Sequence, residues 1–399
     1  MGNRHLAILT TALMGAAMLG GCAHHAKNTA AAAPAASELP PVSIAPSPAA
    51  SVSAAASAAS PTPRPSADSK PAKTLPAPGN ASGHAAIPAD AGPVKTGHPD
   101  HTIGDGTPAG CTSAAVVKAV AQGGVITFDC GPEPVTITMK ATAKVRNTSS
   151  TVVLDGGGRV TLSGGGKRRI LYLNTCDAAQ AWTTSHCNDQ ETPRLTVQNM
   201  VFADGNSTGQ TTDGGGGGAI FDRGGRLKVI NSRFTGNRCD STGPDLGGAA
   251  IRALDQSHDL PVYVVRSTFT GGVCSNGSGL SSIQVSWSVL DSVFTGNAAI
   301  GHGANPARGG TPGGGSGGAI YLDGNDFTLL LDGTVIENNK ANEGGGAVFF
   351  VSNDHTGTMT IRNSKLLHNP SAGFETAGLP GIFFIGRSKP SISGSTLKN

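Results

Sequence analysis

Aromatic side chains are scarce in this chain, 4 % of 399 residues, and charged ones amount to only 14 %. An average globular chain carries about 25 % charged residues, so broad electrostatic surfaces are not what this sequence provides. Of 29 Lys/Arg and 26 Asp/Glu, six and three lie before residue 99, which leaves 23 of each sign in the remainder. A segment without net charge offers no basic field to a phosphate backbone, and nucleic acid is not expected as a partner. Long apolar runs are missing too. The run from Leu6 to Leu19, about 14 residues, falls short of the ~20 that cross a bilayer. Helical periodicity is absent beyond residue 195, which excludes helical and leucine-rich solenoids. What the chain has in excess is glycine, 58 residues, about twice the usual ~7 % and concentrated after residue 100.

The N-terminus joins a short positive region, Asn3-Arg4-His5, to that apolar run, as a signal peptide does. It ends Leu19-Gly20-Gly21-Cys22, which resembles the lipobox of bacterial lipoproteins. The resemblance implies a diacylglycerol on the Cys22 thiol, after cleavage of a signal peptide spanning residues 1–21. Two or more acyl chains anchor a protein stably where one does not. The chain is then expected in the cell envelope, outside the cytoplasm. Ala23 beside the lipidated Cys, in place of Asp, leans towards the outer membrane where the host has one. Residues 22–100 are rich in Ala, Pro and Ser, as in Ser-Pro-Thr-Pro-Arg-Pro at 60–65. Without apolar periodicity they cannot offset their ordering entropy, and the expectation is a disordered tether reaching about 50 Å. The folded domain is expected over residues 101–399.

Within it a motif recurs. Leu227-Lys-Val-Ile-Asn-Ser-Arg-Phe-Thr-Gly-Asn237 returns as Val262 to Gly272 and as Trp287 to Asn297. Looser copies run Leu329 to Asn339 and Met359 to Asn369, a weak one ends at Asn399, and an early one runs from Leu195 to Phe202. A second motif precedes most copies: Gly217-Gly-Ala-Ile220, Gly248-Ala-Ala-Ile251, Gly317-Gly-Ala-Ile320 and Gly345-Gly-Ala-Val348. Short alternating strands divided by variable glycine-rich loops cannot bury an apolar face alone and must stack. The reading is an all-β solenoid of about nine coils, roughly 45 Å long at ~4.8 Å per coil. Phe202, Phe234, Phe269 and Phe294 form an internal column. Asn237, Asn297, Asn339 and Asn369 sit at a sharp corner, where Asn tolerates the left-handed conformation.

Gly-Gly-Ala-aliphatic combined with Phe-x-x-Asn resembles the repeats of chlamydial polymorphic outer-membrane proteins over residues 195–399. No membrane-barrel segment follows Asn399, so autotransport is not implied. The opening block resembles the start of pectate-lyase-like proteins, which implies a right-handed parallel β-helix. There Ser113 to Gln122 is a short amphipathic helix capping the first coil, before strands at Val125-Ile-Thr-Phe and Thr151-Val-Val-Leu-Asp. Setting Cys22 aside leaves six cysteines in an oxidising compartment and three bridges. Cys239 and Cys274 hold one repeat position on neighbouring coils, so their Cα atoms should lie about 5 Å apart, inside disulfide range. Cys111–Cys130 would staple the capping helix, and Cys176–Cys187 would close a loop carrying Trp182. The last coil carries no evident cap, and self-association at that edge is expected.

Strand parity gives an outward column: Phe221, Arg252, Gln284, Tyr321, Phe349 and Phe383. Four of the six are aromatic, which suits sugar stacking or docking of a surface protein. The leading functional expectation is therefore an adhesin-like, non-enzymatic binder of polysaccharide or of a surface partner, with no cofactor. An alternative is a pectate-lyase-like lyase or a glycoside hydrolase, and a third is an envelope spacer. A lyase would use Ca²⁺ held by Asp and an Arg base. Arg252-Ala-Leu-Asp255-Gln-Ser-His258-Asp259 has those types, with Asp222 and Arg223 on the adjacent coil. Gly301-His302-Gly303 resembles the Gly-His-Gly of polygalacturonases, but their companion motifs are absent. Three carboxylates meeting an Arg in a groove would mark an enzyme; an open aromatic strip would mark a binder.

Overall fold

The repeats holding Phe234, Phe269 and Phe294 each form two short strands that pair in parallel with the equivalent strands of the next repeat. Phe202 instead lies near the end of one long strand, Arg194–Ala203. The computed structural model describes residue 75, residues 77–211 and residues 214–399. The expected signal peptide, the expected lipidation site Cys22 and most of the expected tether lie outside the described residues. The described part is all-β apart from a few short helices, with parallel sheets of 17, 8 and 3 strands. Long parallel sheets of this kind are compatible with the expected solenoid.

The phenylalanine column forms as the spacing predicts. Phe202, Phe234, Phe269 and Phe294 are in register on successive strands of the large sheet, and Ile336 and Leu366 continue the line. The rings stack at centroid separations of 5.1, 4.7 and 4.6 Å, all buried. Beside them runs the asparagine ladder. Asn297 Nδ2 donates to Asn339 Oδ1 at 2.8 Å and Asn339 Nδ2 to Asn369 Oδ1 at 2.9 Å. Each of these three amides also donates to the carbonyl of a column residue: Phe269, Phe294 and Ile336 respectively. The corner assignment needs correcting. The left-handed residue is the one before each Asn: Gly236, Gly296, Asn338 and His368. The ladder Asn itself turns inward, where its amide satisfies backbone groups that water cannot reach.

Three disulfides close as the repeat phase and the local spacing predict: Cys111–Cys130, Cys176–Cys187 and Cys239–Cys274. The last pair has Cα atoms 4.8 Å apart. The helix Ser113–Gln122 is N-capped by Thr112, whose hydroxyl accepts from the Ala115 N–H, and it buries Val116, Ala119 and Val120 over the first strands. Such a cover blunts an otherwise open sheet edge.

One boundary differs from expectation. Residues 77–96, read as tether, lie across the outer face of the large sheet. Gly79 N–H donates to Thr268 Oγ1, Ala85 N–H to Asp291 Oδ1, and Val94 N–H to Gln198 Oε1. Tyr263 Oη donates to Asp90 Oδ2. Ala91, with Ala85 and Ile87, packs on Ile230, Val265 and Leu290. This strap covers the apolar outward positions of three successive repeats, and that burial offsets the entropy of ordering a Pro/Ala-rich segment.

Candidate functional site

The Gly-Gly-Ala-Ile motifs build the eight-stranded sheet. Gly217, at φ +65°, shows why glycine opens each strand. A Cβ there would lie 2.5 Å from the Ile220 carbonyl oxygen, and Gly248, Gly317 and Gly345 share the conformation. Beyond the turn, Ile220, Ile251, Leu280, Ile320, Val348 and Ile382 align inward.

The outward column in true register is Tyr172, Phe221, Arg252, Ser281, Tyr321, Phe349 and Phe383. Gln284 does not belong to it. The strand there runs Leu280–Ile283, and Gln284 follows it at φ 59°, bonded through its amide to Asp326 O and the Asn325 N–H. Nor is the column an open strip. Phe221, Arg252, Tyr321 and Phe349 are buried; only Phe383 retains partial exposure. The glycine-rich loops account for the closure. Arg169 lies 4.9 Å over the Phe221 ring while donating to the Gly216 and Gly217 carbonyls. Phe374 packs edge-on against Phe349 and Phe383. The expected aromatic binding strip is therefore an internal packing layer.

Two clefts open on this face: one of about 670 Å³ at Lys144, Tyr172 and Asn174, and a charged one of about 470 Å³ lined by Arg223, Asp245, Arg252, Asp255, Asp323 and Asn353, with Leu254 and Ile283 beneath. Arg223, Leu254, Ile283 and Asp323 are one register column, two positions beyond the aromatic one. Asp245 comes from the loop after Cys239. Asp323 is held by four donors: Tyr321 Oη at 3.2 Å and Asn305 Nδ2 at 2.7 Å on Oδ2, and Gly324 N and Asn353 Nδ2 on Oδ1. Arg252 donates to Ser281 Oγ and the Asp245 carbonyl, both at 2.6 Å. Its Nε is buried without a partner.

Electrostatics follow from this crowding. Burial pushes Arg252 down to about 10, against the pull of Tyr321, Asp245 and Asp323. Loss of water and then the Asp323 carboxylate raise Asp245 above the ordinary aspartate value, opposed by Arg252. Burial raises Asp255 as well, with Asp259 adding and Arg223 opposing. Burial likewise pushes the Tyr321 hydroxyl well up, so this phenol stays a neutral donor to Asp323.

The six residues proposed for catalysis from sequence separate. Arg223, Arg252 and Asp255 meet in the cleft. Asp222 does not: it faces inward between Leu173 and Ala253 in register. Burial pushes its carboxyl well above the usual range, Gln256 Nε2 donates to Oδ2 at 2.6 Å, and Oδ1 has no partner. Parity explains the error, since Asp222 is one residue from the outward Phe221. His258 sits on an exposed turn, where its N–H donates to Asp189 Oδ1 at 2.6 Å. Asp259 lies on the same exposed turn and reaches the cleft only as a charge acting on Asp255. Asp323 was legible, because it stands two positions past Tyr321 on the outward parity. Asp245, Asn305 and Asn353 come from loops without repeat phase and carried no signal. Among the described residues no group of three or more His, Cys, Asp or Glu forms a metal cage. In the cleft the three carboxylates are interleaved with Arg223 and Arg252, a donor set that does not fit the Ca²⁺ site of a pectate-lyase-type mechanism.

No family model, curated protein or solved structure matches the chain.

Proposed function

We propose that this chain is a right-handed parallel β-helix lipoprotein, anchored to the cell envelope through Cys22, whose charged cleft binds a polysaccharide strand and hydrolyses it. The supporting observation is the meeting of Asp245, Asp255 and Asp323 with Arg223 and Arg252 in one cleft. Glycoside hydrolysis needs two carboxyl groups flanking the scissile bond, one protonated and one ionised when the sugar binds. Asp245, raised by desolvation and by Asp323, is the general acid, because a raised carboxyl keeps its proton closer to working pH. Asp255 makes no side-chain hydrogen bond among the described residues and serves as the second carboxyl. Its raised pKa makes it a stronger base once ionised. Asp323, fixed by its own partners, orients the chain and accepts from sugar hydroxyls, while the buried Arg252 holds the loop of Asp245 through its carbonyl.

A second reading, binding without cleavage, is favoured by one feature. Four donors already occupy Asp323, as in a rigid recognition rim. One experiment separates the two. The full chain is incubated with a panel of neutral, acidic and amino polysaccharides, and both retention and new reducing ends are measured. Hydrolysis predicts reducing ends that fall at least about 100-fold in Asp245→Asn while retention persists. Retention without new ends selects the binding reading, and unsaturated products would select a lyase. Neither retention nor cleavage across the panel contradicts both.

A further inference from the structure

The glycine-rich loop 300–316 reaches the cleft through one residue, Asn305 on Asp323, and the hydrolytic reading leaves it without a role. Its tip, residues 306–310, is exposed. Backbone bonds from Gly301 and Gly315 to the Ser275 carbonyl hold its base, and two side-chain pins hold the part towards the tip. Glu343 accepts the Gly303 N–H at 3.0 Å and both Nη groups of Arg308, at 2.9 and 3.3 Å. Asn305 Nδ2 donates to Asp323 Oδ2 at 2.7 Å and also contacts Tyr321 Oη. The loop carrying Asp245 leans on the same element, since Gly243 N–H donates to the Gly313 carbonyl at 3.2 Å.

An amide held at Asp323 and Tyr321 offers the same donor chemistry as a sugar hydroxyl. We infer that loop 300–316 is an intramolecular competitor for the cleft: Asn305 occupies the acceptor position a sugar would take on Asp323, and the Arg308–Glu343 pair is the latch that keeps it there. The inference rests on the cleft being a glycan site. It also accounts for the saturation of Asp323, because one of its four donors leaves when the loop lifts. Substrate then binds only the unlatched state, and its apparent affinity is lowered by the fraction of time the latch is open. Loop glycines such as Gly303, Gly313 and Gly314, all at φ between +85° and +106°, supply backbone freedom for the excursion.

The test uses the full chain and two independent readouts. Amide hydrogen exchange over residues 300–316 is compared in wild type, Arg308→Ala and Asn305→Ala, with melting temperature as the control for folding. Cellohexaose, hexagalacturonate and chitohexaose serve as probes for binding. For a latch closed about nine-tenths of the time, Asn305→Ala tightens binding of whichever hexasaccharide wild type takes by about tenfold. Exchange in the loop rises in both variants while the melting temperature holds. Unchanged exchange in both variants overturns the inference, and so does weaker binding by Asn305→Ala. If no probe binds to any of the three proteins, it is the glycan reading of the cleft that fails. The exchange data then still decide whether the loop is latched.

Discussion

Phe234 and Phe269 lie ring over ring, centroids 4.7 Å apart and planes within 2° of parallel. Each ring fills the space directly above its neighbour, so deleting one leaves a void that two others border. Phe269→Ala is expected to cost about 3–5 kcal/mol, and Phe269→Leu considerably less. Urea unfolding monitored by circular dichroism checks this. Equal midpoints for the two variants would show that the column is not tightly packed.

Asp222 gives a pH signature. Its carboxyl sits among inward apolar residues, and burial raises its folded pKa well above the unfolded value. The folded state therefore holds a proton that the unfolded state releases. Stability is complete below the unfolded pKa, about 3.9, and declines as pH rises from there towards the folded pKa, by up to about 1.4 kcal/mol per unit. Asp222→Asn removes that decline while keeping a partner for Gln256. The variant should gain on wild type over a pH range rising from about 4, read as unfolding midpoints. A difference that stays constant over that range would contradict the assignment.

The strap makes stability depend on residues outside the repeats. A chain beginning at residue 97 loses the cover over Ile230, Val265 and Leu290 and the bonds to Thr268 and Asp291. Removing it is expected to lower stability by on the order of 3 kcal/mol. Identical thermal midpoints for the shortened and full chains would show that the contact is incidental.

Sequence periodicity carried the parts of the molecule that repeat. The Phe column and the pairing of Cys239 with Cys274 follow from motif phase, because a parallel register propagates one position through every copy. The capping helix, which lies before the repeats, came instead from the resemblance of the opening block. The strap was invisible for the opposite reason. Ala85, Ile87 and Ala91 have no repeat of their own, and their partners lie more than a hundred residues away. Outward parity found Arg252 and Tyr321 but not their burial, since a loop that folds back over a sheet leaves no mark on strand alternation. Parity also failed at Gln284, because the strand there runs Leu280–Ile283 and ends just before it.

Asp245 predicts how cleavage would respond to pH. As general acid it must be protonated, so activity falls as pH rises through its elevated pKa. Part of that elevation comes from Asp323. In Asp323→Asn the alkaline limb should move to lower pH, besides any loss of rate. A limb that stays in place would remove Asp245 from the acid role.

Carbodiimide labelling of carboxyl groups, located by mass spectrometry with and without a bound glycan from the retention panel, tests the location of the site most directly. The account predicts slower modification of Asp245 and Asp255 when glycan is present, with Asp105 and Glu133, exposed elsewhere on the surface, unchanged. Protection confined to the strap face, at Asp90 for example, with Asp245 and Asp255 labelled at their original rates, would place the ligand on the wrong sheet and contradict it.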